Sequence, residues 1–219
     1  MNQASDLKSF DWPGCGIALL RDATTRIALR SGPDSGWHDH HDKLAVDIET
    51  SSGWRSADLG TSGYGADFTN WLRSPAAHST VFVGDEPQPR CDGAIAEFTP
   101  TQVVGVANWP GCRLSRRLDL TPGGWTDVVD VVLDHEEPIE WLLHGDGLIA
   151  PRGDTAPGER AELGQELGHR FLRNVRRLSA DRGQVPSRVR RLGSCSCPTG
   201  SGHTRPRLTG IRPVRHWAS

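Results

Sequence analysis

Lysine is nearly missing from this chain: Lys8 and Lys43 stand against 23 arginines. A basic surface selected for nucleic acid has no reason to avoid lysine, so the skew reads as a coding bias toward arginine. Long apolar runs are missing too. No window approaches the roughly 18 residues that a membrane helix needs, and the first sixteen residues lack the basic start and apolar stretch of a secretory leader. The expectation is a chain with no membrane span and no export signal. Cysteine is scarce and scattered, with Cys15, Cys91, Cys112, Cys195 and Cys197 forming an odd count that defines no disulfide framework. Helical periodicity is hardly visible before residue 157.

What is present is a chain of ordinary apolar content that turns often. Its 219 residues contain 25 glycines and 15 prolines, 40 residues or 18% of the chain, against about 12% in an average protein. Frequent turns favour short strands. The formal charge of −2 conceals a split: residues 183–219 hold seven arginines and no acidic residue, which leaves −9 for residues 1–182. That tail has neither alternating nor helical apolar pattern and is expected to be disordered. An acidic body carrying such a tail gives only a weak case for nucleic acid as a partner.

Residues 17–31 read as two strands around the turn Asp22-Ala23-Thr24-Thr25. From Lys43 to Thr50, Leu44, Val46 and Ile48 alternate with Ala45, Asp47 and Glu49, the period of a strand with one buried face. Further strands are expected at Ser79–Gly84, Gln102–Asn108, Cys112–Leu120, Trp125–Asp134 and Ile139–Gly145. Strands at this density predict an all-β fold, a large antiparallel β-sandwich. Its expected limits are residues 10–182, between a disordered 1–9 and the Arg-rich 183–219. From Pro157, Leu163, Leu167, Phe171, Val175 and Leu178 recur at helical spacing, although Gly164 and Gly168 weaken a helix by about 1 kcal/mol each. This end is read as a short helical or irregular segment.

Chemistry concentrates in Trp37-His38-Asp39-His40-His41-Asp42-Lys43, three histidines and two aspartates directly before a strand. Extending the strand backwards would put His38, His40 and Asp42 on the face of Leu44, Val46 and Ile48. Two imidazoles at that spacing can share a small ion, but a tetrahedral site needs a third ligand from elsewhere. Asp58 and His78 are candidates, one opening a Gly-rich turn and the other preceding a strand. A cupin barrel also places H-x-H before a strand, but it requires a glutamate four or five residues later, where this chain has Leu44 and Ala45.

Three ordered segments, Gly36–Leu44, Asp58-Leu59-Gly60-Thr61-Ser62-Gly63-Tyr64-Gly65 and Trp71-Leu72-Arg73-Ser74-Pro75-Ala76-Ala77-His78-Ser79-Thr80-Val81-Phe82-Val83, resemble the heparinase II/III family. Trp141–Gly147 is similar to a late strand of the same domain. The resemblance implies a lyase that cleaves uronic-acid polymers such as heparin, heparan sulfate or alginate by β-elimination. In that family an N-terminal α/α toroid precedes the sandwich, and the proteins are typically periplasmic or secreted. It also implies zinc held by His40, Asp58 and His78, with His38 and Tyr64 facing the catalytic cleft. Arg73 is a candidate for the substrate carboxylate, since a guanidinium can grip one bidentately. Pro75 and Ser79 depart from the family's usual Thr and Asn. The expected partners are an acidic polysaccharide and a separate toroid domain or subunit, without which the domain should be inactive. The alternative is a non-catalytic carbohydrate-binding sandwich stapled by its metal.

Overall fold

The computed structural model describes residues 8–36, 38–56, 58–61, 63, 69–84, 86–122 and 124–145, and the backbone of 211–214. Tyr64 and the helical pattern after Pro157 lie outside these residues. Among them are strands β1 (Phe10–Trp12), β2 (Ile17–Arg21), β3 (Thr25–Arg30), β4 (Ala45–Thr50), β5 (Val81–Val83), β6 (Gly93–Thr99), β7 (Gln102–Trp109), β8 (Cys112–Thr121), β9 (Gly124–Leu133), β10 (Ile139–Leu142) and β11 (Ile211–Val214). One short helix, α1 (Thr69–Arg73), lies between β4 and β5.

Every strand pairing is antiparallel. The strands form sheets ordered β1-β2-β3-β4, β6-β7-β8-β9 and β11-β10-β5. The expected hairpin forms because Asp22 Oδ1 accepts from the backbone N–H groups of both Thr24 and Thr25 at 2.7 Å, closing the turn between β2 and β3. Three strands, β1, β6 and β11, carry no clean alternation in the sequence. β1 has only three residues, and β6 shifts register between Ile95 and Glu97, so its alternation breaks midway. The Arg-rich segment has no apolar pattern in sequence, yet Ile211–Val214 pairs with Ile139–Leu142 at the edge of the third sheet.

The first two sheets face each other as an all-β sandwich. Ala18, Leu20, Ile27, Leu29, Val46 and Ile48 from one meet Val103, Leu118 and Trp125 from the other. Each large side chain among them contributes about 1.5–3 kcal/mol by leaving water. Gly105 permits the close approach, since a Cβ there would sit 2.9 Å from methyl carbons of both Leu29 and Leu44.

On the core-facing side of β8, between Leu114 and Leu118, lies Arg116, which is wholly buried. Its guanidinium donates to both carboxylate oxygens of Asp127 on β9, at 2.9 and 2.6 Å. Nη1 donates to the carbonyls of Leu44 and Ser79, each at 2.8 Å. Those carbonyls precede β4 and β5, so one buried cation joins the second sheet to the loops that lead into both strands.

Candidate metal centre

β4 starts at Ala45, and the residues before it turn away from the strand. Ala45 N–H donates to Asp42 O at 3.0 Å and Leu44 takes a φ of 64°, a conformation rare for a branched side chain. The turn corrects the expected phase. Asp42 does not share the core face of Val46 and Ile48; it reaches Arg30, whose neighbours along β3 on that side are the outward Arg26 and Ala28. The polar cluster therefore sits at the end of the first sheet's outer face.

Two chain segments meet there and are tied by backbone contacts. His41 N–H donates to Arg73 O at 2.8 Å, Val46 N–H to Ser79 O at 3.1 Å, and Thr80 Oγ1 to Lys43 O at 2.6 Å. Arg73 donates from Nε and Nη2 to Asp39 O, at 3.2 and 2.8 Å. Lys43 is buried, with Nζ on Asp39 at 2.9 Å and its N–H on the buried side chain of Gln88. Asp58 is aimed by its own turn, Oδ1 accepting from Gly60 N–H at 2.7 Å. Upstream, Ser56 Oγ accepts from Ile48 N–H and fixes the approach to that turn.

His78 is the centre of the cluster and is 1% exposed. Its Nε2 lies 2.9 Å from Leu72 O, an atom that can only accept, so the ring proton belongs there. His40 Nδ1 approaches the same nitrogen at 3.1 Å. On the opposite side of the ring, Nδ1 faces Asp58 Oδ2 at 3.1 Å and Asp42 Oδ2 at 3.8 Å. A neutral imidazole would turn a lone pair toward two carboxylates, an arrangement satisfied only by a proton or a metal cation between them. One ligand atom each from Asp42, Asp58 and His78 lies within 4.8 Å of the others. An imidazole with two carboxylates is a chemically suitable donor set for a divalent ion.

Arg30 supplies positive charge on the carboxylate side of the cluster. Its guanidinium reaches Asp58 at 2.5 Å, Asp42 at 3.3 Å and Asp47 at 3.5 Å. Burial opposes ionisation of Asp58, but the His78 imidazole, the Gly60 N–H and Arg30 together hold its carboxyl well below the usual carboxylate range. Burial and the neighbouring His78 push His40 down, favouring the neutral ring that a metal ligand needs.

The structure brings His40, Asp58 and His78 together, with the His78 ring between the other two. Asp42 stands on the Asp58 side of that ring. Asp42 belongs to the His/Asp motif but no spacing marks it as a ligand, and Arg30 is an outward strand residue with no motif to mark it. His38 is exposed in the loop before His40. Arg73 lines a narrow polar pocket with Asp39, His40, His41, Lys43 and Arg90.

Residues 4–106 match the family model described as "Heparinase II/III-like, C-terminal". That segment, just under half of the chain, is heparinase II/III-like. The chain's fold is also that of solved structures from low-identity relatives. One is the heparinase III product BT4657, at TM-score 0.56 and 18% identity over 69% of this chain and 25% of that one. Another is the heparan sulfate lyase HepC from Pedobacter heparinus, at TM-score 0.52 and 17% identity, covering 64% of this chain and 25% of that one. The chain thus spans about a quarter of the length of either structure. No curated protein matches it.

Proposed function

We propose that this heparinase II/III-like domain is the sandwich portion of a polysaccharide lyase that cleaves uronic-acid-containing chains by β-elimination. The observation that carries the reading is where the His78 cluster lies: the chain segments that build it fall inside the family match at residues 4–106. Asp42, Asp58 and His78 would hold a divalent ion, zinc by donor preference, with His40 as a further candidate ligand against the same ring. Such an ion would supply a structural tie between the turn before β4, the Asp58 turn and the loop entering β5.

β-Elimination requires neutralising the C5 carboxylate, removing the C5 proton and protonating the leaving oxygen. His38 and Tyr64 are proposed to face the reacting sugar, and Arg73 beside the polar pocket to receive a uronate carboxylate. A toroid domain or subunit would complete the cleft, in keeping with the chain's one-quarter coverage of the solved lyases. Groups that act as a unit lose most of their effect when one part is removed, so the 219-residue chain should be inactive by itself.

The test is ultraviolet detection of unsaturated uronate product from heparan sulfate and alginate, with the chain alone and with a toroid polypeptide added. Product only in the mixture, reduced by His38→Ala and by Tyr64→Phe, supports the reading. Robust turnover by the chain alone would reject the division of labour, and polymer binding without turnover in the mixture would favour a non-catalytic binding module.

A further inference from the structure

Strand register defines a second surface. Phe10 pairs with Leu19 and Trp12 with Ile17; Leu19 pairs with Ala28, Ile17 with Arg30 and Arg21 with Arg26. Ala18, Leu20, Ile27 and Leu29 point into the sandwich, so alternation turns all of these paired residues to the outer face of the first sheet. Two features there are unusual for a solvated face. Phe10 and Trp12 are 37% and 57% exposed, with ring centroids 4.6 Å apart on an edge strand. Arg21 and Arg26 stand directly opposite each other, a like-charge pairing that costs stability.

Arg26 is neutralised by Glu49 at 2.7 Å. The Arg21 side chain has no hydrogen bond or ion pair among the described residues. Arg21 lies two residues along β2 from Leu19, the partner of Phe10, and four from Ile17, the partner of Trp12, which sets its Cα about 8 Å from Phe10 and about 14 Å from Trp12 by strand geometry. The transverse row Trp12, Ile17, Arg30 then leads from the aromatic edge to the aspartates around His78. Two exposed aromatic rings tilted 51° to each other, with an uncommitted cation near Phe10, suit successive sugar rings carrying anionic groups.

We propose that the outer face of β1–β3 is a second contact surface for an acidic polysaccharide, with Phe10 and Trp12 against different sugar rings of one chain and Arg21 taking a carboxylate or sulfate near Phe10. The polymer class rests on the lyase reading; the surface itself rests on register and exposure. Aromatic faces bind the apolar faces of pyranose rings, and a guanidinium pairs bidentately with either anion.

The test is titration calorimetry of the full chain with a heparan sulfate octasaccharide and with an unsulfated hyaluronan octasaccharide. Trp12→Ala and Arg21→Gln should each weaken binding by about tenfold, the scale expected for a central contact, while Val128→Ser on the second sheet leaves it unchanged. Loss confined to the sulfated octasaccharide in Arg21→Gln assigns that residue to sulfate, and equal loss with both assigns it to carboxylate. Circular dichroism checks that each variant is folded. If His38→Ala and Arg73→Ala abolish binding while Trp12→Ala and Arg21→Gln bind like wild type, the lyase reading stands and this surface is rejected. Absence of binding to either octasaccharide by the wild-type chain rejects the surface as well, and points to a polypeptide covering the aromatic edge.

Discussion

Arg116 and Asp127 form a bidentate ion pair with both side chains out of solvent, and the same guanidinium caps the carbonyls that lead into β4 and β5. The pair connects the interior of the second sheet to the loops that carry Asp42 and His78. Removing one partner leaves a buried charge uncompensated and typically costs about 3–5 kcal/mol. Arg116→Met should therefore lower the urea midpoint by that equivalent. Arg116→Lys should rescue little, because a point-like ammonium cannot reproduce two bonds to a carboxylate and two to carbonyls.

Gly16 and Gly32 offer a sharper steric test. Gly16 has a φ of 63°, and a Cβ there would fall 2.0 Å from Gly32 Cα, a backbone atom that cannot yield as a side chain can. Gly16→Ala should destabilise the domain severely, seen as loss of a cooperative thermal transition. Gly14→Ala, where a Cβ would meet nothing within 4 Å, should be tolerated.

Acidification should weaken the fold partly through His144. Burial pushes its imidazole down to about 4, against about 6.5 for an exposed histidine. Between those values the unfolded chain binds a proton that the folded chain refuses. Stability then rises with pH across that window, is flat above it and is lost as pH falls through it. Over about two and a half pH units the contribution reaches at most about 3 kcal/mol. Denaturant melts in the presence of a chelator should show this slope in wild type and a shallower one in His144→Gln.

The sandwich was legible because its strands alternate cleanly: Val46 and Ile48, and Leu114 and Leu118, mark core faces without any knowledge of their partners. The site was legible only as composition. Periodicity carried His38, His40 and Asp42 onto the core face, but Leu44 adopts a left-handed conformation and the turn at Asp42 swings the cluster outward. Arg30 gave no signal, since an outward arginine on a strand looks like any solvated charge until three aspartates from separate segments converge on it. Arg116 follows the pattern of its apolar neighbours, and only the buried Asp127 and two loop carbonyls explain a charge in that place.

Variants around His78 should identify the residues that hold the ion. Asp58→Asn and Asp42→Asn each remove an anionic oxygen on the Nδ1 side of the ring and should weaken metal retention. His40→Ala separates the two ligand sets: a fall in metal content as large as that in Asp58→Asn makes His40 a ligand, whereas near-normal content leaves the ion to Asp42, Asp58 and His78. Arg30→Ala should also lower thermal stability when metal is removed, because three aspartates would then face one another with no cation.

The most direct measurement is elemental analysis of the purified chain after dialysis, in wild type and His78→Ala. The account predicts about one zinc ion per chain in the wild type and almost none in the variant, with removal of zinc by a chelator lowering the melting temperature of the wild type alone. Equal metal content in the two proteins, or a wild type that carries no divalent metal and gains no stability when zinc is supplied, would contradict it.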